Sequence, residues 1–235
     1  METKQKNWGQ IKGGLNSTGN TKEIKIPKKD EKLAEFIGIV LGDGNINSFK
    51  KGKKIRTYCV RIAGDSRHDR TYLTSYVKKL SSDLFNLEPR FHYSNGANCM
   101  YLSLYSLRLV EYFSEMKLLP GNKITNQTTI PKWIWKKDSY LAACVRGLYD
   151  TDGSVYELLP HWPGLFQVYF SNRNSTLLKD VRKALLKLGI NISKISLQKG
   201  VTPRIYITKK SEIKKFKETI GFKNDRHLKK IKIVP

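Results

Sequence analysis

An internal duplication limits the possible folds of this sequence more than any other feature. Residues 33–45, LAEFIGIVLGDGN, resemble residues 141–154, LAACVRGLYDTDGS. Identical residue pairs recur at a constant spacing of 109 positions, among them Gly38 and Gly147, Asp43 and Asp152, and Gly44 and Gly153. Similar strand and helix patterns follow both segments, so the chain is expected to contain two copies of one structural unit.

Hydrophobic periodicity predicts the element order αββαββα in each copy, which is an α+β fold. In the first copy, helices are expected at 30–43, 69–85 and 106–116, and strands at 45–49, 55–63, 90–93 and 98–105. In the second copy, the motif helix precedes strands at 154–158, 166–171, 192–198 and 204–208, with helices at 174–188 and 211–220. Asp30 is expected to cap the first helix, and Gly44 to end it as a C′ glycine.

These patterns divide the chain into four segments. Residues 1–26 form a basic N-terminal extension, 27–118 the first repeat, 119–137 a linker, and 138–235 the second repeat. A flanking splicing domain is not apparent, so a free-standing or intron-encoded protein is expected rather than an intein.

Charge narrows the range of partners. The 235 residues include 44 Lys+Arg against 20 Asp+Glu, a formal charge of +24, and the basic residues are spread along the chain. A folded surface of this charge attracts polyanions, most simply nucleic acid. The sequence has no apolar run long enough for a membrane span and no secretory h-region. We therefore expect an intracellular, reducing location, in the cytoplasm, nucleoid or an organelle matrix.

Small residues on the two motif helices predict that these helices pair. Gly38 and Gly42 lie four positions apart in one copy, as do Gly147 and Thr151 in the other. Such faces let helix backbones approach closely. Pairing would bring the C-terminal ends together and place Asp43 beside Asp152.

Two carboxylates at helix C-termini require a compensating cation, because the helix dipole is negative there. Carboxylates and backbone carbonyls are the hard oxygen ligands that suit Mg²⁺. The three cysteines and four histidines, in contrast, show no metal-ligand spacing. In a basic protein, metal ions held by two acids indicate phosphodiester hydrolysis in nucleic acid. Taken singly, either Asp-Gly pair could be an ordinary turn.

Phe36 to Gly44 (FIGIVLGDG) and Val145 to Gly153 (VRGLYDTDG) resemble the two signature helices of a single-chain LAGLIDADG homing endonuclease. The resemblance covers the chain from about Ile26 onward. It implies a monomer of two pseudo-symmetric halves, with the signature helices at the interface and two antiparallel sheets forming a saddle over double-stranded DNA. It also implies cleavage of both strands of a long, pseudo-asymmetric site across the minor groove, leaving 3′ overhangs.

The resemblance also assigns roles to individual residues. Asp43 and Asp152 would be the metal-binding acids, with Gly42 and Thr151 as further ligands, and Mg²⁺ or Mn²⁺ would support cleavage while Ca²⁺ supports binding alone. Asp150 is expected to be a helix-face or interface residue. The remaining candidates are basic or water-ordering: Lys123 near the scissile phosphate; Arg226, His227 or Lys229 as its second-half counterpart; and Asp65 and Asn172 as water-ordering residues.

The DNA-facing residues should alternate along the strands with core residues. In the second half the alternation opposes polar residues to Val168, Phe170, Ile195, Leu197, Ile205 and Ile207. The expected contacts are Asn45, Asn47, Thr57, Arg61, Arg90, His92, Tyr101, Ser103, Ser154, Tyr156, Gln167, Tyr169, Ser171, Lys194, Ser196, Gln198, Arg204, Tyr206 and Thr208. Side chains of these types bind base edges and phosphates.

Two alternatives remain open at this level. One is a binding protein on the same scaffold, either a maturase that assists splicing of its own intron RNA or a non-cleaving DNA-binding protein. The other is a basic scaffold protein, whose binding would show no sequence preference and would depend almost wholly on salt.

Overall fold

The first half of the chain adopts the predicted order αββαββα. The computed structural model describes residues 22–51, 55–197 and 200–233. Its elements in this half are α1 (Glu31–Leu41), β1 (Gly44–Lys51), β2 (Ile55–Asp65), a π-helical segment (Tyr72–Val77) continuing into α2 (Lys78–Phe85), β3 (Arg90–Tyr93), β4 (Cys99–Tyr105) and α3 (Leu107–Glu115). The strands form an antiparallel sheet in the order β1-β2-β4-β3.

The second half repeats this plan with a smaller sheet. A short 3₁₀ helix (Ile134–Lys136) precedes α4 (Asp138–Asp152), β5 (Gly153–Leu158), β6 (Trp162–Ser171), α5 (Ser175–Lys187), β7 (Arg204–Ile207), α6 (Lys210–Thr219) and α7 (Asp225–Ile233). The antiparallel sheet has the order β5-β6-β7. The predicted α+β fold with two antiparallel sheets is confirmed.

The prediction of a strand at 192–198 is wrong for residues 192–197, which are the part of this range that the structure describes. Only an isolated bridge joins Ser196 to Arg204. The Ser193 carbonyl accepts instead from Arg182 Nε at 3.0 Å, and the Ser193 hydroxyl accepts from the Tyr206 amide at 3.1 Å. Because these side-chain atoms interrupt the backbone ladder, the segment runs beside β7 without continuing the sheet. Leu197, expected to face the core, is 80% exposed.

Helix α7 is absent from the sequence prediction. It follows the turn that ends α6, and it packs against β5. Its position brings a basic segment from the end of the chain towards the motif helices. No helix in the described part of the chain has both the length and the apolar composition needed to cross a membrane.

The two motif helices pack directly against each other at the centre of the molecule. A Cβ added to Gly38 would lie 2.1 Å from the Cys144 carbonyl oxygen, and one added to Gly147 would lie 2.3 Å from the Glu35 carbonyl oxygen. Real side-chain carbons do not approach other atoms this closely, so only glycine fits at either position. The predicted pairing of the motif helices is confirmed, and it places their C-terminal ends side by side.

The start of α1 is as predicted, but its end is different. Asp30 Oδ1 accepts from the Leu33 amide at 2.9 Å, as an N-cap does. Gly44, expected as a left-handed C′ residue, is instead the first residue of β1 and does not have a positive φ. A Cβ at Gly44 would lie 2.4 Å from Val40 Cα. Close approach of the backbone, rather than a left-handed conformation, therefore requires this glycine.

Gly38→Ala should destabilise the protein, because the added methyl group can fit only if α1 and α4 separate. Overpacking of this kind costs about 1–3 kcal/mol, and each kcal/mol lowers the Tm of a protein of this size by about 2–4 °C. Thermal unfolding followed by circular dichroism would measure the loss. Lys179→Ala, on an exposed face of α5, is the control and should leave the Tm nearly unchanged. Equal Tm values for Gly38→Ala and the wild type would contradict the close helix contact.

Candidate active site between the two motif helices

Asp43 and Asp152 lie together at the adjoining ends of α1 and α4. Asp152 is the last residue of α4, and Asp43 follows Gly42, the C-cap of α1. A Cβ added to Gly42 would lie 3.6 Å from Asp152 Oδ2, which places this carboxylate against the end of α1. The structure thus brings together the two acids that occupy equivalent positions in the sequence repeat.

The environment of the two acids disfavours their charge. Burial, reinforced by the negative charge of Asp152, raises the pKa of Asp43 to about 7. Burial also raises the pKa of Asp152, while Lys123 and a hydrogen bond from Asn172 oppose the rise. Two carboxylates held close together in a desolvated site gain stability from a nearby cation.

Lys123 supplies one positive charge at the end of α1. Its Nζ donates to the carbonyl oxygens of Leu41 at 2.9 Å, of Val40 at 3.3 Å, and of Gly42. These are the carbonyls that the last turn of a helix leaves without partners. Burial lowers the pKa of Lys123, and the charges of Asp152 and Asp43 oppose this effect.

Arg226 supplies the matching charge at the end of α4. Its Nη2 donates to the Thr151 carbonyl at 3.1 Å, and its Nη1 donates to Asp69 Oδ2 at 3.1 Å. Thr151 stands in α4 where Gly42 stands in the first motif, so Arg226 and Lys123 occupy equivalent places. Among the three second-half basic candidates, Arg226 is the one whose side chain donates to the carbonyl just before a motif acid.

The other two second-half candidates are held differently, and His227 Nε2 accepts from Arg226 Nε at 3.1 Å. His227 is 1% exposed and packs its ring on Phe222, with ring centroids 4.9 Å apart. Burial and the charge of Arg226 lower the pKa of His227 to about 3, so it is neutral near pH 7. Lys229 is exposed on α7.

The two water-ordering candidates differ in their contacts. Asn172 Nδ2 donates to Asp152 Oδ2 at 2.7 Å, which ties it directly to an acid. The Asp65 carboxylate forms an ion pair with Arg67 at 2.8 Å, and this contact holds the pKa of Asp65 well below its usual range. Asp65 lines the same cleft as Asp43 but is not hydrogen-bonded to it.

Asp150 has a separate part in the architecture. Its carboxylate is fully buried and accepts from the backbone amides of Lys223, at 2.9 and 3.1 Å, and Asn224, at 2.9 Å. These amides belong to the turn that leads into α7. Asp150 therefore anchors the segment that carries Arg226, and it lies at a helix face as expected.

Sequence reasoning missed Asp69 and Asn224. Asp69, 5% exposed, accepts from Asn224 Nδ2 at 2.8 Å as well as from Arg226. These contacts join the first half of the chain to the second. The only signal in the sequence was the place of Asp69 at the start of a predicted helix, where any capping residue also stands.

The polar faces of both sheets carry most of the residues expected to contact DNA. In the second sheet, Tyr169 pairs in register with Ser154 on one side and Tyr206 on the other. Gln167 Nε2 donates to Thr208 Oγ1 at 3.1 Å. The half-buried or exposed members are Asn45, Asn47, Thr57, Arg61, Arg90, His92, Tyr101, Ser154, Tyr156, Gln167, Tyr169, Ser171, Lys194, Ser196, Arg204, Tyr206 and Thr208. Gln198 lies outside the described residues.

The expectation that Ser103 is exposed is wrong. This serine is fully buried, and it is the register partner of Arg61 on one strand and Arg90 on the other. The Arg61 guanidinium lies 5.1 Å from the ring centre of Tyr101, and that of Arg90 lies 5.7 Å from the ring centre of Tyr105. Two long side chains therefore flank one short side chain on the polar face, and the arginines and tyrosines form the accessible surface.

Comparison with known proteins identifies the repeated unit. Residues 139–221 match the family model described as a LAGLIDADG-like domain. The matched segment contains the second motif and most of the second repeat. The family resemblance carried by the two motifs is confirmed, and the fold of the described residues agrees with it.

Two solved structures share that fold. The structure of I-DmoI in complex with DNA and Mn superposes with a TM-score of 0.60 at 20% identity, covering 83% of this chain and 98% of that chain. The homing endonuclease I-WcaI bound to its DNA recognition sequence superposes with a TM-score of 0.56 at 14% identity, covering 88% of each chain. The LAGLIDADG fold therefore extends over both halves of this chain.

Two curated relatives from Methanocaldococcus jannaschii match most of this chain. They are the isomerizing glutamine–fructose-6-phosphate aminotransferase, 24% identical over 91% of this chain, and the replication factor C small subunit, 28% identical over 86%. The matches span only 18% and 10% of those proteins, respectively. A segment common to two proteins with such different names does not indicate the activity of either one.

Asp43→Asn should raise the Tm in EDTA, because it removes one of two facing, desolvated carboxylates. If the loss of carboxylate repulsion increases the free energy of unfolding by about 1 kcal/mol, the Tm should rise by about 2–4 °C. Thermal unfolding at pH 8 in EDTA would measure it. Asp65→Asn is the matched control and should lower the Tm slightly or leave it unchanged, because the Asp65 carboxylate is stabilised by Arg67. A lower Tm for Asp43→Asn would show that the Asp43 charge stabilises the fold.

Proposed function

We propose that the protein is a sequence-specific, divalent-metal-dependent DNA endonuclease that cleaves both strands of a long, pseudo-asymmetric site. In this proposal the protein acts as a monomer, cuts across the minor groove and leaves 3′ overhangs. Its partner is double-stranded DNA. The fold shared with DNA-bound homing endonucleases supports this assignment.

The observation that carries the proposal is the arrangement at the ends of the motif helices. Two acids lie together, and each helix end has a basic side chain on the carbonyl just before its acid. A protein that only binds DNA has no need for two desolvated carboxylates, which repel phosphate. Paired acids with adjacent cations suit hydrolysis of a phosphodiester.

The donors at this site fit a hard divalent cation. Among the described residues, no cluster of three or more His, Cys, Asp and Glu side chains could hold a metal. Asp43 and Asp152, with the carbonyls of Gly42 and Thr151, would supply the protein oxygens, together with the DNA phosphates. Bound Mg²⁺ or Mn²⁺ would activate water and stabilise the leaving oxygen. Ca²⁺ should support binding without cleavage.

The side chains around the acids have separate tasks in this proposal. Lys123 and Arg226 place positive charge beside the acids, where the phosphate charge increases during hydrolysis. Asn172 holds Asp152 in a fixed orientation through its 2.7 Å hydrogen bond. Water ordered by the polar residues beside the acids would be the nucleophile.

The polar sheet faces would bind the DNA on either side of the site. Arginines, tyrosines and amides alternate there with core residues, and the net charge of +24 favours the phosphate backbone. Because the two sheets differ in size and in side chains, the two halves of the DNA site should also differ in sequence. This is the basis for proposing a pseudo-asymmetric target.

Incubation with a randomised duplex library, enriched for binders, would test the function. With Mg²⁺, new DNA ends should appear at one discrete site, with staggered cuts on the two strands. With EDTA, no new ends should form. Sequencing every end identifies the target and the overhang in one experiment.

The double variant Asp43→Asn with Asp152→Asn supplies the control. It should retain DNA affinity measured in Ca²⁺ but lose cleavage in Mg²⁺ by a factor of about 10³ or more. Cleavage that survived in the double variant would place the metal site elsewhere. Selective binding by the wild type without any new ends would instead favour a maturase or a non-cleaving DNA-binding protein.

A further inference from the structure

Asp69 and Asn174 occupy equivalent positions in the two halves. Each follows the second strand of its sheet and stands at the start of the helix that comes next. Both are polar and buried, with 5% and 1% of their surface exposed. Buried polar side chains are held by specific partners, and here each side chain has partners across the molecule as well as near it in sequence.

Asp69, in the first half, holds the cation of the second motif. Its Oδ2 accepts from Arg226 Nη1 at 3.1 Å, and its Oδ1 accepts from Asn224 Nδ2 at 2.8 Å. Arg226 uses its other terminal nitrogen to donate to the Thr151 carbonyl, at the end of α4. The guanidinium therefore spans from a first-half carboxylate to the second-half motif.

Asn174, in the second half, holds the segment that carries the cation of the first motif. Its Nδ2 donates to the carbonyls of Lys123 at 3.2 Å and Thr128 at 2.7 Å. Lys123 Nζ then reaches the carbonyls at the end of α1. Asn174 Oδ1 meanwhile accepts from the Thr176 and Leu177 amides, so the side chain caps α5 with its other atom.

We propose that Asp69 and Asn174 are positioning residues that brace the halves crosswise, each half placing the cation at the other half's motif. This inference rests on the proposed endonuclease function. Lys123 and Arg226 stand at different helix ends, so each should serve the cut of one DNA strand. Loss of a brace should then slow one cut selectively.

The effects of the two braces should therefore be opposite. Asp69→Asn removes the charge that holds Arg226, and it should leave uncut the same strand as Arg226→Met. Asn174→Ser keeps a capping oxygen for α5 but removes the amide donor, and it should leave uncut the same strand as Lys123→Met. Each variant should accumulate nicked DNA, with a bias between strands of about tenfold or more.

A supercoiled plasmid carrying the target, with the two strands labelled differently, would measure both cuts. The bias is a ratio within one sample, so it does not depend on how much of a variant is folded. Asp83→Asn, which breaks an exposed ion pair with Lys79, is the control and should cut both strands as the wild type does. Equal slowing of both strands, or the same strand left by both brace variants, would overturn the proposal.

A second measurement tests the Asp69–Arg226 brace without cleavage. Tm values would be compared for Asp69→Asn, Arg226→Met and the double variant. If the contact braces the halves, the double variant should lose less Tm than the two single losses added together. Strictly additive losses would overturn the brace, whereas a wild type that does not cut would overturn only the proposed function.

Discussion

The backbone contact between α1 and α4 is the interaction on which the rest of the structure depends. Gly38 and Gly147 remove the side chains that would hold the helices apart. At this separation the two C-terminal ends meet, and only then do Asp43 and Asp152 share one environment. A wider separation would leave two isolated helix ends, each with a single acid, and the paired-acid site would not form.

The electrostatics at this junction run against local stability. A carboxylate at a helix C-terminus faces the negative end of the dipole, and burial adds a desolvation cost. Lys123 and Arg226 offset part of that cost by donating to the unpaired carbonyls. First-half Asp69 holds the Arg226 side chain and second-half Asn174 holds the backbone of Lys123, so the charge balance of the site depends on the assembly of both halves.

Much of the fold was predictable because its elements follow strong local patterns. The capped, apolar α1 and the alternating strands of the first sheet appear close to their expected bounds, and the small residues on the motif helices predicted that these helices pair. The errors have local physical causes. Arg182 and the Ser193 hydroxyl interrupt the ladder at 192–198, and Ser103 is covered between two arginines. Hydrophobic periodicity predicts which face of a strand a residue occupies. It does not predict whether longer neighbouring side chains bury that residue.

The sequence by itself determined the duplication, the pairing of the motif helices and the meeting of Asp43 with Asp152, because regular spacing and small residues fix those features locally. The tertiary structure alone decided that Arg226 is the partner of Lys123, and that Asp69 and Asn174 hold these cations from the opposite halves. Those contacts join residues up to 157 positions apart through long side chains. Their partners depend on where whole elements come to lie, and no local pattern in the chain records that.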